Sequence, residues 1–119
     1  MGKVRFIHHR GKPILFLDFS RCNADEVFKT IDEAKQVIRN QPENSVLTLT
    51  DVTNTKYNME TTQAMKELAN GNKPYVKAGA VVGIDGLKKI IYEAVTRFSG
   101  RNIPVFDDVE KAKDWLVEQ

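Results

Sequence analysis

Residues 78–84 (AGAVVGI) form a segment without a polar side chain. A segment of this kind indicates a β-strand that is covered on both faces, as strands in parallel sheets are. Residues 87–98 follow with helical spacing, and Gly100 is placed to end that helix in the left-handed conformation. Lys88 falls on the polar face, and the apolar face, expected in the core, consists of Leu87, Ile90, Ile91, Ala94, Val95 and Phe98. Because a covered strand followed by an amphipathic helix is part of a β-α-β unit, this stretch predicts an α/β fold.

Strand and helix patterns also follow one another in the sequence before this stretch. Residues 3–9 and 14–18 are two short strand patterns, and the turn signal RGKP at 10–13 between them predicts an antiparallel hairpin. Residues 24–38 carry an apolar stripe at spacings of three and four, which predicts a helix. Residues 45–51 (SVLTLTD) alternate and are rich in β-branched side chains, so they predict the next strand.

Capping residues mark where the helices begin. Asn23 and Glu26 have the spacing of a capping box, and Asn58 is placed to cap a weaker helix that ends near Gly71. Asp107 with Glu110 predicts the cap of a last helix near the end of the chain.

The complete pattern predicts a single domain over residues 1–119. Residues 103–106 form a short strand at a sheet edge, because Pro104 cannot donate to a ladder. The predicted order is ββαβαβαβα, with four helices and a mainly parallel sheet of about five strands. The first strand is expected at one edge of the sheet, antiparallel to its neighbour.

Composition excludes several classes of function. The 18 Lys and Arg against 16 Asp and Glu leave a formal charge of +2, too balanced for the cation excess of a nucleic-acid binder. The longest run of strictly hydrophobic residues, 14–17, is too short to span a membrane. The N-terminal sequence lacks the apolar core of a signal peptide, and the single Cys22 agrees with a reducing compartment. The chain is therefore predicted to be cytoplasmic.

Neither a metal nor another cofactor is predicted. His8 and His9 are adjacent, so in a strand they point to opposite faces and cannot share a metal ion. Cys22 has no second cysteine with which to form a disulfide or a cluster.

The predicted functional site is the rim where the parallel strands end, since ligands of open α/β sheets bind there. Asp18, Asp51, Asp85 and the 107–108 pair each follow a predicted strand. Together they would form an acidic, magnesium-tolerant pocket or a general acid/base pair. Asp is also preferred in helix caps and strand-end turns, so a purely structural role is the alternative.

Two other features of the rim have a functional and a structural interpretation. Gly83 to Gly86, GIDG, leads from strand to helix like a phosphate cradle, yet it is short of glycines, and Asp85 would repel an anion. A tight turn is the alternative. The middle of the chain is rich in hydroxyls, which could accept a phosphate near a helix start or could serve only strand and turn structure: Ser45, Thr48, Thr50, Thr53, Thr55, Tyr57, Thr61 and Thr62.

The order of elements over nearly the whole chain resembles the STAS domain, the SpoIIAA-like fold of anti-sigma-factor antagonists. Residues 80–92 (AVVGIDGLKKIIY) and 98–103 (FSGRNI), continuing through FDD at 106–108 to Trp115 and Leu116, are similar to stand-alone bacterial STAS/SEC14-type proteins of unassigned function. The more specific part of this resemblance covers about the last forty residues.

The resemblance implies a fold without the usual phosphoswitch. In the antagonists a phosphorylatable serine lies in an Asp-Ser-Ser/Thr-Gly tetrad at the start of the second helix. Aligned from residues 49–52, this chain has Lys56, Tyr57, Asn58 and Met59 there, so the phosphoacceptor, the Asp and the Gly are all replaced.

Two functions remain. The first is a non-enzymatic regulatory or binding module, whose rim recognises a partner protein or a small ligand. The second is a small hydrolase-like or nucleotide/anion-binding enzyme that uses the rim aspartates. No serine has an evident base, and both histidines lie in the first strand, which favours the module. The candidate rim comprises Asp18, Ser20, Asp51, Thr53, Thr55, Lys56, Tyr57, Asn58, Gly83, Asp85 and Gly86.

Tyr57 is the residue of this rim with the clearest alternatives. In an exposed loop, its ring and polar tip would make it an anchor for a partner, with Lys56 steering an acidic surface. Packing at the edge of the core is the other interpretation. The sequence leaves the oligomeric state open, including a homodimer.

Overall fold

The computed structural model describes residues 3–119, without the side chain of Leu87. The chain starts with an antiparallel hairpin, in which Arg10 and Gly11 both adopt the left-handed conformation that a tight turn requires. The elements are β1 (Lys3–His9), β2 (Lys12–Asp18), α1 (Ala24–Ile38), β3 (Val46–Asp51), α2 (Met59–Asn72), β4 (Val76–Val82), α3 (Gly86–Ser99), β5 (Val105–Phe106) and α4 (Val109–Val117). This order is the predicted one.

The five strands form one mixed sheet in the order β1-β2-β3-β4-β5. β1 pairs antiparallel with β2, and all other neighbours are parallel. The register places Asp18 beside Asp51, and Asp51 beside Val82, so the carboxyl ends of three strands meet at one edge. The predicted fold class is therefore confirmed, including the antiparallel edge strand.

Because side chains alternate along a strand, the sheet divides the core in two. Leu15, Leu17 and Val81 pack against α1, α2 and α3, on what we call the three-helix face. Ile14 and Leu49 point the other way, against α4, on the α4 face. Val81 and Val82 are both buried, one on each face, as the apolar segment in β4 predicts.

Most of the predicted caps are present. The capping box of Asn23 and Glu26 is complete, and Gly100 ends α3 with a φ of 68°. The predicted cap of the last helix is wrong by one residue. Asp108 caps α4 by accepting a hydrogen bond from the Lys111 N–H at 2.7 Å, whereas Asp107 lies one residue before the cap.

The buried face of α3 also differs from the predicted one. Ile90 and Phe98, expected in the core, are 72% and 51% exposed, whereas Lys88 and Ser99 are buried. The helical spacing marks an amphipathic helix, but the rotation of that helix is set by its packing on α2 and the sheet. The Lys88 chain is buried at low cost, because its ammonium reaches Asp85 at 2.9 Å and the Gly83 carbonyl at 3.4 Å.

Candidate functional site

The carboxylates at the strand ends stabilise the turns that follow the strands. The Ser20 N–H and hydroxyl donate to Asp18 Oδ1 at 3.0 and 2.5 Å, and the Thr53 N–H donates to Asp51 Oδ1 at 2.9 Å. These bonds to the backbone two residues further on are Asx turns. Asp18 and Asp51 are thus brought side by side by the sheet, but each carboxylate already holds its own loop.

The glycine-containing turn between β4 and α3 has a local structural role. Asp85 caps α3 by accepting the Lys88 N–H at 3.1 Å. Gly83 has a φ of 89°, and a Cβ there would lie 2.5 Å from the Thr53 backbone nitrogen. Close approach of two loops therefore requires this glycine. Gly86 has open space around its Cα, and the Asp85 carboxylate lies at the helix N-terminus that an anion would need.

The loop before α2 is anchored by its hydroxyl and amide side chains. Thr55 is buried and donates to the Phe19 carbonyl at 2.6 Å. Asn58 caps α2 through a capping box with Thr61. Thr53, Asn54, Lys56 and Asn58 are exposed, so a partner could reach these side chains of the loop directly.

Tyr57 is not the exposed loop residue that one of the two interpretations expects. Its ring packs at the edge of the three-helix core, and its hydroxyl is buried without a hydrogen-bond partner. Burial accordingly raises the pKa of the Tyr57 hydroxyl well above its usual range. The side chain belongs to the wall of a cavity that the rim aspartates do not line.

This cavity lies between the three-helix face of the sheet and helices α2 and α3, and has a volume of about 90 Å³. Most of its wall is apolar. The sheet, α2 and α3 contribute the apolar side chains Leu17, Val52, Val81, Met65, Leu68 and Ile91. An apolar cavity with a few polar groups is the usual form of a small-ligand site.

Some polar groups in the cavity wall have hydrogen-bond partners and others do not. The Tyr92 hydroxyl donates a hydrogen bond to the Ile103 carbonyl. Both buried side-chain atoms without a partner in residues 3–119, the Tyr57 hydroxyl and Asn72 Oδ1, belong to cavity residues. Since buried polar groups are nearly always hydrogen-bonded, two such atoms at one cavity call for an explanation.

Arg101 is the charged group with the least compensation in the wall. Its guanidinium donates one hydrogen bond, to the Ala69 carbonyl at 3.4 Å, and no carboxylate of residues 3–119 pairs with it. Burial lowers the pKa of the guanidinium, with no neighbouring charge to oppose this effect. A Cβ at Gly79 would lie 3.0 Å from Arg101 Nη2 and 2.8 Å from Thr48 Oγ1, so this glycine provides room for the guanidinium to cross β4.

Sequence reasoning finds Tyr57 but misses Thr48, Asn72 and Arg101. A signal for Arg101 does exist, because a glycine inside a strand, here Gly79, often marks the close approach of another group. Asn72 has no such signal. It is the last residue of α2, where polar residues are common, and only the packing of α2 on the sheet buries it.

Neither a metal site nor a membrane-spanning helix is found among the described residues. Within residues 3–119, no group of three or more His, Cys, Asp or Glu is arranged to hold a metal ion. No helix in the described part of the chain has the length and apolarity needed to cross a bilayer.

Comparison with known proteins supports the SpoIIAA-like fold. No family profile and no curated protein matches the sequence. Solved structures do match. One is an uncharacterized DUF3478-family protein with a SpoIIAA-like fold from Shewanella loihica, with a TM-score of 0.75 at 14% identity, covering 97% of this chain and 93% of the other. Another is an anti-sigma-factor antagonist (STAS) domain protein from Planctomyces limnophilus, with a TM-score of 0.67 at 8% identity, covering 96% and 97%.

These similarities define the class of fold. The chain has the SpoIIAA-like fold, with the element order and mixed sheet predicted from its sequence. Because a fold does not determine a function, the function of this chain is argued from its site.

Proposed function

We propose that this chain is a non-enzymatic binding module of the STAS type that holds a small, mostly apolar ligand in the cavity under α2 and α3. The observation that carries the proposal is the pair of unpartnered buried atoms, the Tyr57 hydroxyl and Asn72 Oδ1. Each costs about 1–3 kcal/mol when nothing replaces its bonds to water. A ligand with a hydroxyl or a similar polar group would supply the missing partners, while its apolar part would fill the cavity.

The composition of the cavity wall supports binding rather than catalysis. Among the described residues, the wall contains no His, Cys, Asp or Glu that could act as a base or a nucleophile. Asp18, Asp51 and Asp85, on which the alternative enzymatic function depends, are engaged in turns and a cap. His9 pairs with Asp114 of α4 at 2.7 Å, away from the three-helix face.

Tyr57 connects this cavity to the rim proposed from the sequence. Its neighbours Lys56 and Asn58 are exposed, and Met59 after them is 90% exposed, while its own hydroxyl reaches the buried wall. We propose that a partner protein contacts this loop and thereby responds to occupancy of the cavity. The buried Cys22 thiol is compatible with a reducing compartment such as the cytoplasm.

The test uses 1-butanol as a neutral probe, followed by amide NMR, together with native mass spectrometry of protein purified from its source. We expect a bound small molecule in the native spectrum. After its removal, we expect butanol to shift amides near Leu68, Val81 and Tyr92, which lie on three different walls of the cavity.

A matched pair of variants on α2 makes the test specific. Ala69→Leu adds carbons to the cavity wall and should abolish both the bound mass and the butanol shifts, since leucine is a good helix former. Ala64→Leu makes the same change at a half-buried position of α2 outside the wall and should keep both. The proposal fails if butanol causes no shifts in wild-type protein, or if both variants respond to it as wild type does.

A further inference from the structure

Arg101 links the apolar cavity to a second, polar cleft. This cleft has a volume of about 220 Å³ and lies at the open edge of β4, where β5 pairs only with Val81 and Val82. Lys73 and Lys77 line it, and no carboxylate of the described residues does. Arg101 is the residue that lines both spaces.

The positive charge of Arg101 lacks compensation by the protein. Arg101 is half-buried, and a guanidinium that is partly removed from water is stabilised by an anionic partner, because removing a charge from water is costly unless the charge is paired. Among the described residues, the one hydrogen bond from its side chain goes to the Ala69 carbonyl at 3.4 Å, and its Nη2 packs against Gly79, where a Cβ would lie 3.0 Å away. The arrangement therefore favours an anionic group that comes from a ligand.

The size of the cavity sets the size of the apolar part. Since an apolar cavity of about 150 Å³ holds one benzene molecule, a volume of about 90 Å³ limits the apolar part of a ligand to a few carbon atoms. One guanidinium balances one negative charge, and its planar pair of N–H groups matches a carboxylate. Lys73 and Lys77 are exposed, so solvent screens them and they add attraction rather than a second neutralising charge.

We propose that Arg101 is an anion anchor and that the ligand is a short-chain carboxylate, with its tail in the cavity and its carboxylate on the guanidinium at the boundary with the cleft. The proposal rests on the proposed function, and it adds the chemical class of the ligand. A carboxylate and a phosphate ester share this anion chemistry, and the single positive charge favours the carboxylate.

The experiment compares butanoate, 1-butanol, acetate and inorganic phosphate on ligand-free protein by amide NMR titration. We expect butanoate to bind at least tenfold more tightly than butanol, which lacks the charge, and than acetate, which lacks the tail. Phosphate should not displace butanoate. Equal affinities for butanoate and butanol would overturn the anchor and leave the proposed function intact, whereas absence of binding by both would overturn both proposals. Displacement by phosphate would overturn the carboxylate assignment.

Variants test the residue. Arg101→Gln should reduce the butanoate affinity at least tenfold, and Arg101→Lys should restore part of it. Lys77→Gln, a change of the same type at an exposed position of the cleft, should lower the affinity about twofold, and less at high salt. A butanoate affinity of Arg101→Gln equal to that of wild type would overturn the assignment. If Arg101→Gln does not fold, the comparison of the four ligands on wild-type protein still decides the question.

Discussion

The two faces of one sheet serve different purposes in this protein. On the α4 face, Ile14, Leu49, Ala80 and Leu116 are fully buried and form an apolar contact between strands and helix. On the three-helix face the strands are equally covered, yet the wall leaves a cavity with a half-buried arginine and two unpartnered polar atoms. The same backbone thus has one face whose core is filled by apolar side chains and another that leaves polar groups unpartnered around a cavity.

The largest expected difference in stability tests the packing of β4, the strand that is covered on both faces. Val82→Asp places a charge on the α4 face at a position that is 3% exposed, so we expect loss of at least about 4 kcal/mol and no folded protein. Val105→Asp, on the neighbouring strand at 44% exposure, is the control and should cost about 1 kcal/mol or less. Circular dichroism with urea unfolding measures both. A folded Val82→Asp protein with wild-type stability would show that β4 is misplaced.

A pair of leucines compares the two faces more finely. Leu116→Ala on the α4 face should cost about 2–5 kcal/mol, because it opens a cavity in a filled core. Leu68→Ala should cost about 1 kcal/mol less, since Leu68 already borders the cavity and has fewer contacts to lose. Urea unfolding of the two variants in ligand-free protein checks the order. A larger loss for Leu68→Ala would mean that the cavity is closed in solution.

The smallest expected effects are changes in stability of opposite sign at two tyrosines of the cavity wall, Tyr92 and Tyr57. Tyr92→Phe removes the donor to the Ile103 carbonyl and should cost about 1 kcal/mol. Tyr57→Phe removes an unpartnered hydroxyl and should stabilise the ligand-free protein by about 1 kcal/mol. Thermal unfolding of both variants without ligand gives the signs, and destabilisation by Tyr57→Phe would show that its hydroxyl is satisfied by the protein.

The fold was predictable because its signals are local. The apolar segment at 78–84, the capping box at Asn23 and the left-handed Gly100 each depend on residues close in the chain. The capping box and Gly100 are found where the spacing puts them, and the strand predicted from the apolar segment is found two residues earlier, as β4 at Val76–Val82. The rotation of α3 was not predictable, because the long apolar stem of Lys88 can be buried in place of the wholly apolar side chain of Ile90. Their burial is decided by contacts with α2 and the sheet.

The same distinction between local signals and tertiary contacts applies to the candidate site. The sequence by itself determined the order of elements and the mixed sheet, since both depend on periodicity and on turn and cap residues that are close in the chain. Only the tertiary structure decided that Tyr57, Asn72 and Arg101, which are distant in sequence, line one cavity. The physical reason is that an uncompensated charge or an unpartnered hydroxyl is defined by what surrounds it, and these surroundings come from three helices and a sheet packed together.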